Sequence, residues 1–180
     1  MTGRTPFLSR CIALTILCAT TAAAQATDAS RRQGFWFSGG LGAASFGCSD
    51  CGDRVNGLGV HLSLGGTVSP RLLVGVGSDS FTKSEDGVTG TFATLDARVR
   101  FYPTLTNGFF LTGGLGVGSA RASGDGVSVT SNGGSGIVGV GYDFPVGKSV
   151  SLTPYFNTFV LRIEGTTSNV ASLGVAITLP

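Results

Sequence analysis

The sequence predicts an all-β fold: an eight-stranded, antiparallel, up-and-down transmembrane β-barrel. Three observations predict it. Residues alternate with a period of two along most of the chain, the mark of pleated strands with unlike faces. Charged residues make up 12% of the chain, against roughly 25% in an average soluble domain. Glycine occupies 30 of 180 positions without a collagen triplet. A soluble sheet would carry Lys, Glu and Gln on its wet face. Here that face is glycine and small polar residues, which suits a narrow lumen, and the aliphatic face then meets lipid. Glycine this dense weakens strands unless something packs close to the backbone, as a crowded barrel interior does.

The chain opens on a targeting segment, expected over residues 1–26. Arg4 and Arg10 form a basic start, Cys11 to Ala19 a short apolar run, and cleavage is expected after Ala24 or Ala26. The run is too short to span a bilayer as a helix. Without Arg4 and Arg10, the 12 basic residues fall level with the 10 acidic ones. A neutral mature chain, the barrel domain expected over 27–180, argues against nucleic acid as a partner. No later stretch reaches helical-span length, so a membrane location requires a closed barrel.

The first strand is expected over 34–46, with Phe35, Phe37, Leu41 and Ala43 on one face. A loop with Cys48 and Cys51 follows. The stretch from Leu58 to Phe81 reads as two strands joined at Ser69-Pro70-Arg71. Leu58, Val60, Leu62 and Leu64 face one way, then Leu72, Val74 and Val76. Pro70 has no N–H for a ladder and belongs at the turn. Lys83 to Gly87 is a charged loop with turn chemistry. Between Val88 and Tyr102, Ala93, Leu95, Ala97, Val99 and Phe101 oppose Thr94, Asp96, Arg98, Arg100 and Tyr102. Residues 103–108 turn, and Phe109 to Arg121 repeats the first strand. Residues 122–134 are expected as the longest loop. Strands over 135–144, 150–160 and 167–179 complete the eight. Connections alternate between a kind that carries proline (Pro70, Pro103, Pro145) and a more acidic kind that includes the longest. Short proline turns then belong to the periplasmic side and longer loops to the outside. Pro154 is expected near the periplasmic rim.

In the segments GFWFSGGLG, FFLTGGLGVGSA, IVGVGYDF and ASLGVAITL the chain resembles the small outer-membrane β-barrel family, the OmpA- and OmpX-like eight-stranded proteins. The resemblance covers the whole mature chain. It implies a bacterial outer-membrane location, with outer-membrane lipid and the barrel-assembly machinery as partners. It also implies surface ligands at the loops and a monomer. The expected role is non-enzymatic, structural or surface-interacting, with no cofactor. A narrow pore or small-solute channel is the second reading, and a lipid-modifying hydrolase the third. A soluble periplasmic barrel is the rival at the level of the fold.

Asp79, Asp96, Arg98, Arg100 and Asp143 all have lumen parity. Two guanidinium groups in a low-dielectric interior need carboxylates. Eight strands leave room only for side chains, so an ion network that plugs the lumen is expected over a selective pore. His61-Leu62-Ser63 resembles the His-x-Ser pair of outer-membrane lipid A deacylases. No carboxylate is expected beside it, and a structural lumen histidine is the preferred reading. Cys48 and Cys51 are expected as a small loop disulfide; a metal-bound or redox pair lacks the second ligand pair or the βαβ context. Gly113 to Gly118 is not followed by a helical period, so a nucleotide loop is set aside. Trp36, Phe35, Phe37, Phe101, Tyr102, Phe109, Phe110, Tyr142 and Phe144 are expected to form an interfacial aromatic belt.

Overall fold

The computed structural model describes residues 32–49, 52–124, 126–147 and 149–179. The expected leader, its cleavage sites, the domain boundary at residue 27 and Cys51 lie outside these residues. Nine strands form among the described residues: β1 (Phe35–Cys48), β2 (Val55–Ser69), β3 (Leu72–Glu85), β4 (Val88–Phe101), β5 (Phe109–Gly124), β6 (Val127–Tyr142), β7 (Phe144–Pro145), β8 (Ser151–Ile163) and β9 (Thr166–Leu179). The two-residue β7 continues the line of β6 past Asp143, so the nine strands make eight staves. Every pairing is antiparallel. β1 pairs with both β2 and β9, and β6 pairs with β8, which closes the barrel and leaves no edge within the wall.

Period-two alternation sets the faces. Leu58, Leu62, Leu64, Val74, Val76, Leu95, Val99, Leu173, Val175 and Ile177 are exposed on the outside. Between them the chain turns Ser38, His61, Ser63, Asp79, Asp96, Arg98 and Ser172 inward, where they are buried. On β5 the outward apolar run lasts from Phe109 to Val117 and then becomes Ser119, Arg121 and Ser123. About 9–11 residues suffice for a tilted strand to span the hydrocarbon. The remainder of β5 and its partner in β6 therefore project beyond the apolar band.

That projection corrects the expected long loop over 122–134. The ladder continues through Ala122↔Val129 and Ser123↔Ser128 to Gly124↔Val127. β5 thus runs to Gly124 and β6 starts at Val127, with Gly126 at φ 77°. Asp86-Gly87 and Glu164-Gly165 are two-residue hairpin turns, with φ of 49° and 79° and of 48° and 90°. Such turns match the twist of paired strands, and glycine takes the second positive φ without strain. Loop length therefore does not orient this barrel as expected, because the connection over 102–108 at the proline pole is longer than the outer one over 49–54, and that over 146–150 is longer than the remaining outer turns. The even stave count does: Phe37 pairs with Leu179, so the first and last strands meet at the proline pole, the periplasmic one. Pro154 finds its place where the β6–β7 ladder to β8 lapses, between Gly141↔Tyr155 and Phe144↔Leu152. A residue without an N–H costs least there.

Candidate functional site in the lumen

The inward side chains sort into three layers along the barrel axis. At the periplasmic pole Trp36, Leu73, Tyr102 and Phe110 form a buried aromatic cluster. At the outer pole Ala44, Phe81, Ile137, Phe159 and Val170 form a second cluster, with Phe46, Val55 and Phe92 packed against it. Phe46 and Phe92 stack with ring centroids 4.2 Å apart. The polar residues lie between these two layers. Trp36, Tyr102 and Phe110 are therefore lumen residues, not belt residues; alternation turns Trp36 inward between the outward Phe35 and Phe37. Phe35, Phe37, Phe101, Phe109 and Phe144 do face outward at the periplasmic pole.

The middle layer is built around Arg98 on β4. Its Nε donates to Asp96 Oδ1 at 2.7 Å and its Nη2 to Asp96 Oδ2 at 2.6 Å. Residues two apart on a strand share a face, so this fork is local in sequence. The same Nη2 lies 2.7 Å from Asp79 Oδ2, carried across from β3. All three side chains are buried. Gly77 makes room for the guanidinium, since a Cβ there would collide with Arg98. Gly114 does the same for Asp96, whose Oδ1 would stand 2.7 Å from an added Cβ.

Asp79 also accepts from Asn157 Nδ2 at 3.0 Å. Its Oδ1 lies 3.0 Å from His61 Nδ1, and Ser63 Oγ lies 3.2 Å from His61 Nε2. A carboxylate thus stands beside the His61–Ser63 pair, contrary to expectation. The cause is register: the turn at Pro70 makes His61 and Asp79 direct cross-strand partners. The connectivity is that of a Ser–His–Asp triad. Its surroundings differ from those of an exposed nucleophile. Ser63 is 2% exposed, the imidazole packs on Tyr155, and Nδ1 is also approached by Arg98 Nη1 and Asn157 Nδ2, each at 3.3 Å.

Arg100 and Asp143 do not join this group. Asp143 accepts from the Tyr102 hydroxyl at 2.6 Å and from Thr153 Oγ1 at 2.6 Å. The Arg100 guanidinium lies between two rings, with Cζ 4.1 Å from the Phe110 centroid and 4.8 Å from the Trp36 centroid. The structure places the five inward ionisable residues as a trio of Asp79, Asp96 and Arg98, with Arg100 and Asp143 in the layer below. Arg32, which sequence reasoning passed over, closes the periplasmic mouth. It donates to the carbonyls of Asn107 at 2.6 Å and Pro70 at 3.4 Å and lies over the Tyr102 ring. Nothing in the local pattern around Arg32 signals this, because the contact joins two distant turns. Cys48 ends β1.

A family model described as outer membrane protein beta-barrel domain matches residues 14–177. Among curated proteins there is no match. Solved structures share the architecture. The Neisserial surface protein A is 16% identical, with a TM-score of 0.62 over 82% of this chain and 97% of that one. The attachment invasion locus protein Ail of Yersinia pestis is 14% identical, with a TM-score of 0.55 over 82% and 99%. The N-terminal β-barrel domain of Pseudomonas aeruginosa OprF is 14% identical, with a TM-score of 0.51 over 82% and 98%. At these identities the likeness is one of fold.

Proposed function

The chain belongs to the outer membrane protein β-barrel domain family and is an integral barrel of the bacterial outer membrane, and from that premise we propose that it is a sealed, non-enzymatic barrel that acts through its outer rim. The observation that carries the proposal is the projecting hairpin of β5 and β6. β6 pairs with β8 only from Gly134 downward and Gly133 still abuts Arg162, so residues 127–132 have a neighbour on one side alone. Val127 and Val129 have lumen parity but stand above the lumen, 68% and 64% exposed. The stretch Val127-Ser-Val-Thr-Ser-Asn-Gly133 holds no charge and no proline. Natural edge strands are usually protected by one or the other, and an unprotected edge is a template for an added strand.

The neighbour Ail has been solved with the heparin analogue sucrose octasulfate. The outer rim here argues for a different ligand class, because Asp53, Glu85, Asp86 and Glu164 balance Arg54, Lys83, Arg121 and Arg162 and leave no basic patch for a sulfated chain among the described residues. An extended polypeptide fits a neutral edge better than a sulfated glycan. Sealing by the two apolar layers and the ion trio supports the non-conducting part of the reading. Burial of Ser63 supports the non-enzymatic part, since a nucleophile needs room for an acyl group beside it.

Cells displaying the wild-type chain, the Ser128→Lys/Thr130→Lys variant, or no barrel are compared for retention on immobilised extended polypeptides and sulfated glycans. Polypeptide retention that the two lysines abolish is expected. Retention no greater than that of cells without the barrel would leave only a structural role.

A further inference from the structure

We propose that the periplasmic layer of the lumen binds a small monovalent anion of halide size, held by Arg100 and Trp36. The two buried arginines on β4 are treated differently by their surroundings. Arg98 is forked on Asp96 and bridged to Asp79. Arg100, equally buried, has no carboxylate against it among the described residues. It touches the Tyr102 hydroxyl, whose proton goes to Asp143. Asp143 therefore reaches Arg100 only through a phenol, and both its oxygens already accept a hydroxyl.

The N–H inventory sharpens the case. Arg100 Nε and Nη1 are buried and have no hydrogen-bond partner, and the same holds for Trp36 Nε1. Phe110 and Trp36 cover the faces of the guanidinium. Cation–π contact uses the faces of the ion and leaves its N–H edges unsatisfied. Three orphan donors of two side chains that touch, one of them a full positive charge, define a site for an acceptor that carries negative charge. A water could accept these bonds but would not neutralise the guanidinium. Trp36, Leu73, Tyr102 and Phe110 pack into one buried cluster around these donors, which favours an acceptor of a single atom. A divalent oxyanion would overload a single cation.

Trp36 is the one tryptophan in the chain, so its fluorescence reports this site alone. The probes are sodium iodide and sodium bromide, added to the folded barrel in detergent at ionic strength held constant with gluconate. Trp36 is 1% exposed, so encounter quenching from solution should be shallow. Bound halide should instead give quenching that saturates and that chloride reverses. The Arg100→Gln variant, with folding checked by heat-modifiable gel mobility, should lose the saturable component. Quenching that is absent, or linear in halide and indifferent to chloride, would overturn the site and leave a water to satisfy the donors. If Arg100→Gln does not fold, saturation and chloride competition in the wild type decide the matter unaided.

Discussion

Asp96, Arg98 and Asp79 form one unit, and removing one member leaves the others buried without full compensation. Loss of one partner of a buried pair costs about 3–5 kcal/mol. Asp96→Ala and Arg98→Ala are each expected to fall in that range, measured by urea unfolding of the barrel in detergent or bilayers. Gly77→Val should lower stability too, since its side chain would occupy the guanidinium's place. Ser63 tests the enzymatic alternative. A fluorophosphonate probe should leave Ser63 unlabelled in the folded barrel, and labelling that Ser63→Ala removes would show a working nucleophile. Cys48 and Cys51 are proposed to be joined in protein taken from the envelope. Intact mass with and without reductant before alkylation checks the bond, whose gain is small because the closed loop is short. Lumen parity of all five ionisable residues was readable from alternation. The partner of Arg100 was not, because parity says which way a side chain points and not which layer it occupies. The Asp79–His61 pair could have been read, since counting outward from Pro70 sets the two opposite each other.

At the scale of the strand, β4 carries the sharpest contrast between faces. Val99 is exposed on the outside, with Arg98 and Arg100 buried on either side of it in sequence. Val99→Arg puts a charge into lipid and should cost about 2–4 kcal/mol near the midplane. Thr130→Arg, on the projecting part of β6, should cost almost nothing in the same unfolding assay. If both variants refold into bilayers like the wild type, the apolar band is misplaced. The strand centres were legible because apolar outward positions recur every second residue. The outer ends were not. From residue 119 to 133 Val127 and Val129 are the only large apolar residues, the alternation fades, and a paired ladder looks like a Gly- and Ser-rich loop. The Asp-Gly and Glu-Gly turns were the available signal, since a two-residue turn demands strands right up to it.

For the whole molecule, closure of the sheet and the stave count followed from the repeated strand texture. The two apolar layers were hidden, because inward Phe81 stands between Asp79 and Lys83 on its own face, Val170 between Ser168 and Ser172, and Phe159 beyond Asn157. They come together only when β3, β8 and β9 are folded around one axis. With Arg32 bonded to the turns at the periplasmic pole, these layers flank the polar middle of the lumen on both sides, the basis of the proposal that the barrel is sealed. Eight staves give an interior that side chains can fill, and here aromatic rings and an ion trio are buried in it. Planar-bilayer recording of the purified wild-type barrel tests this directly. No stable conductance above the bare membrane is expected, with Phe81→Ala destabilising the barrel by about 3–5 kcal/mol. A steady, ohmic conductance from the wild-type protein would contradict the sealed lumen and establish a pore.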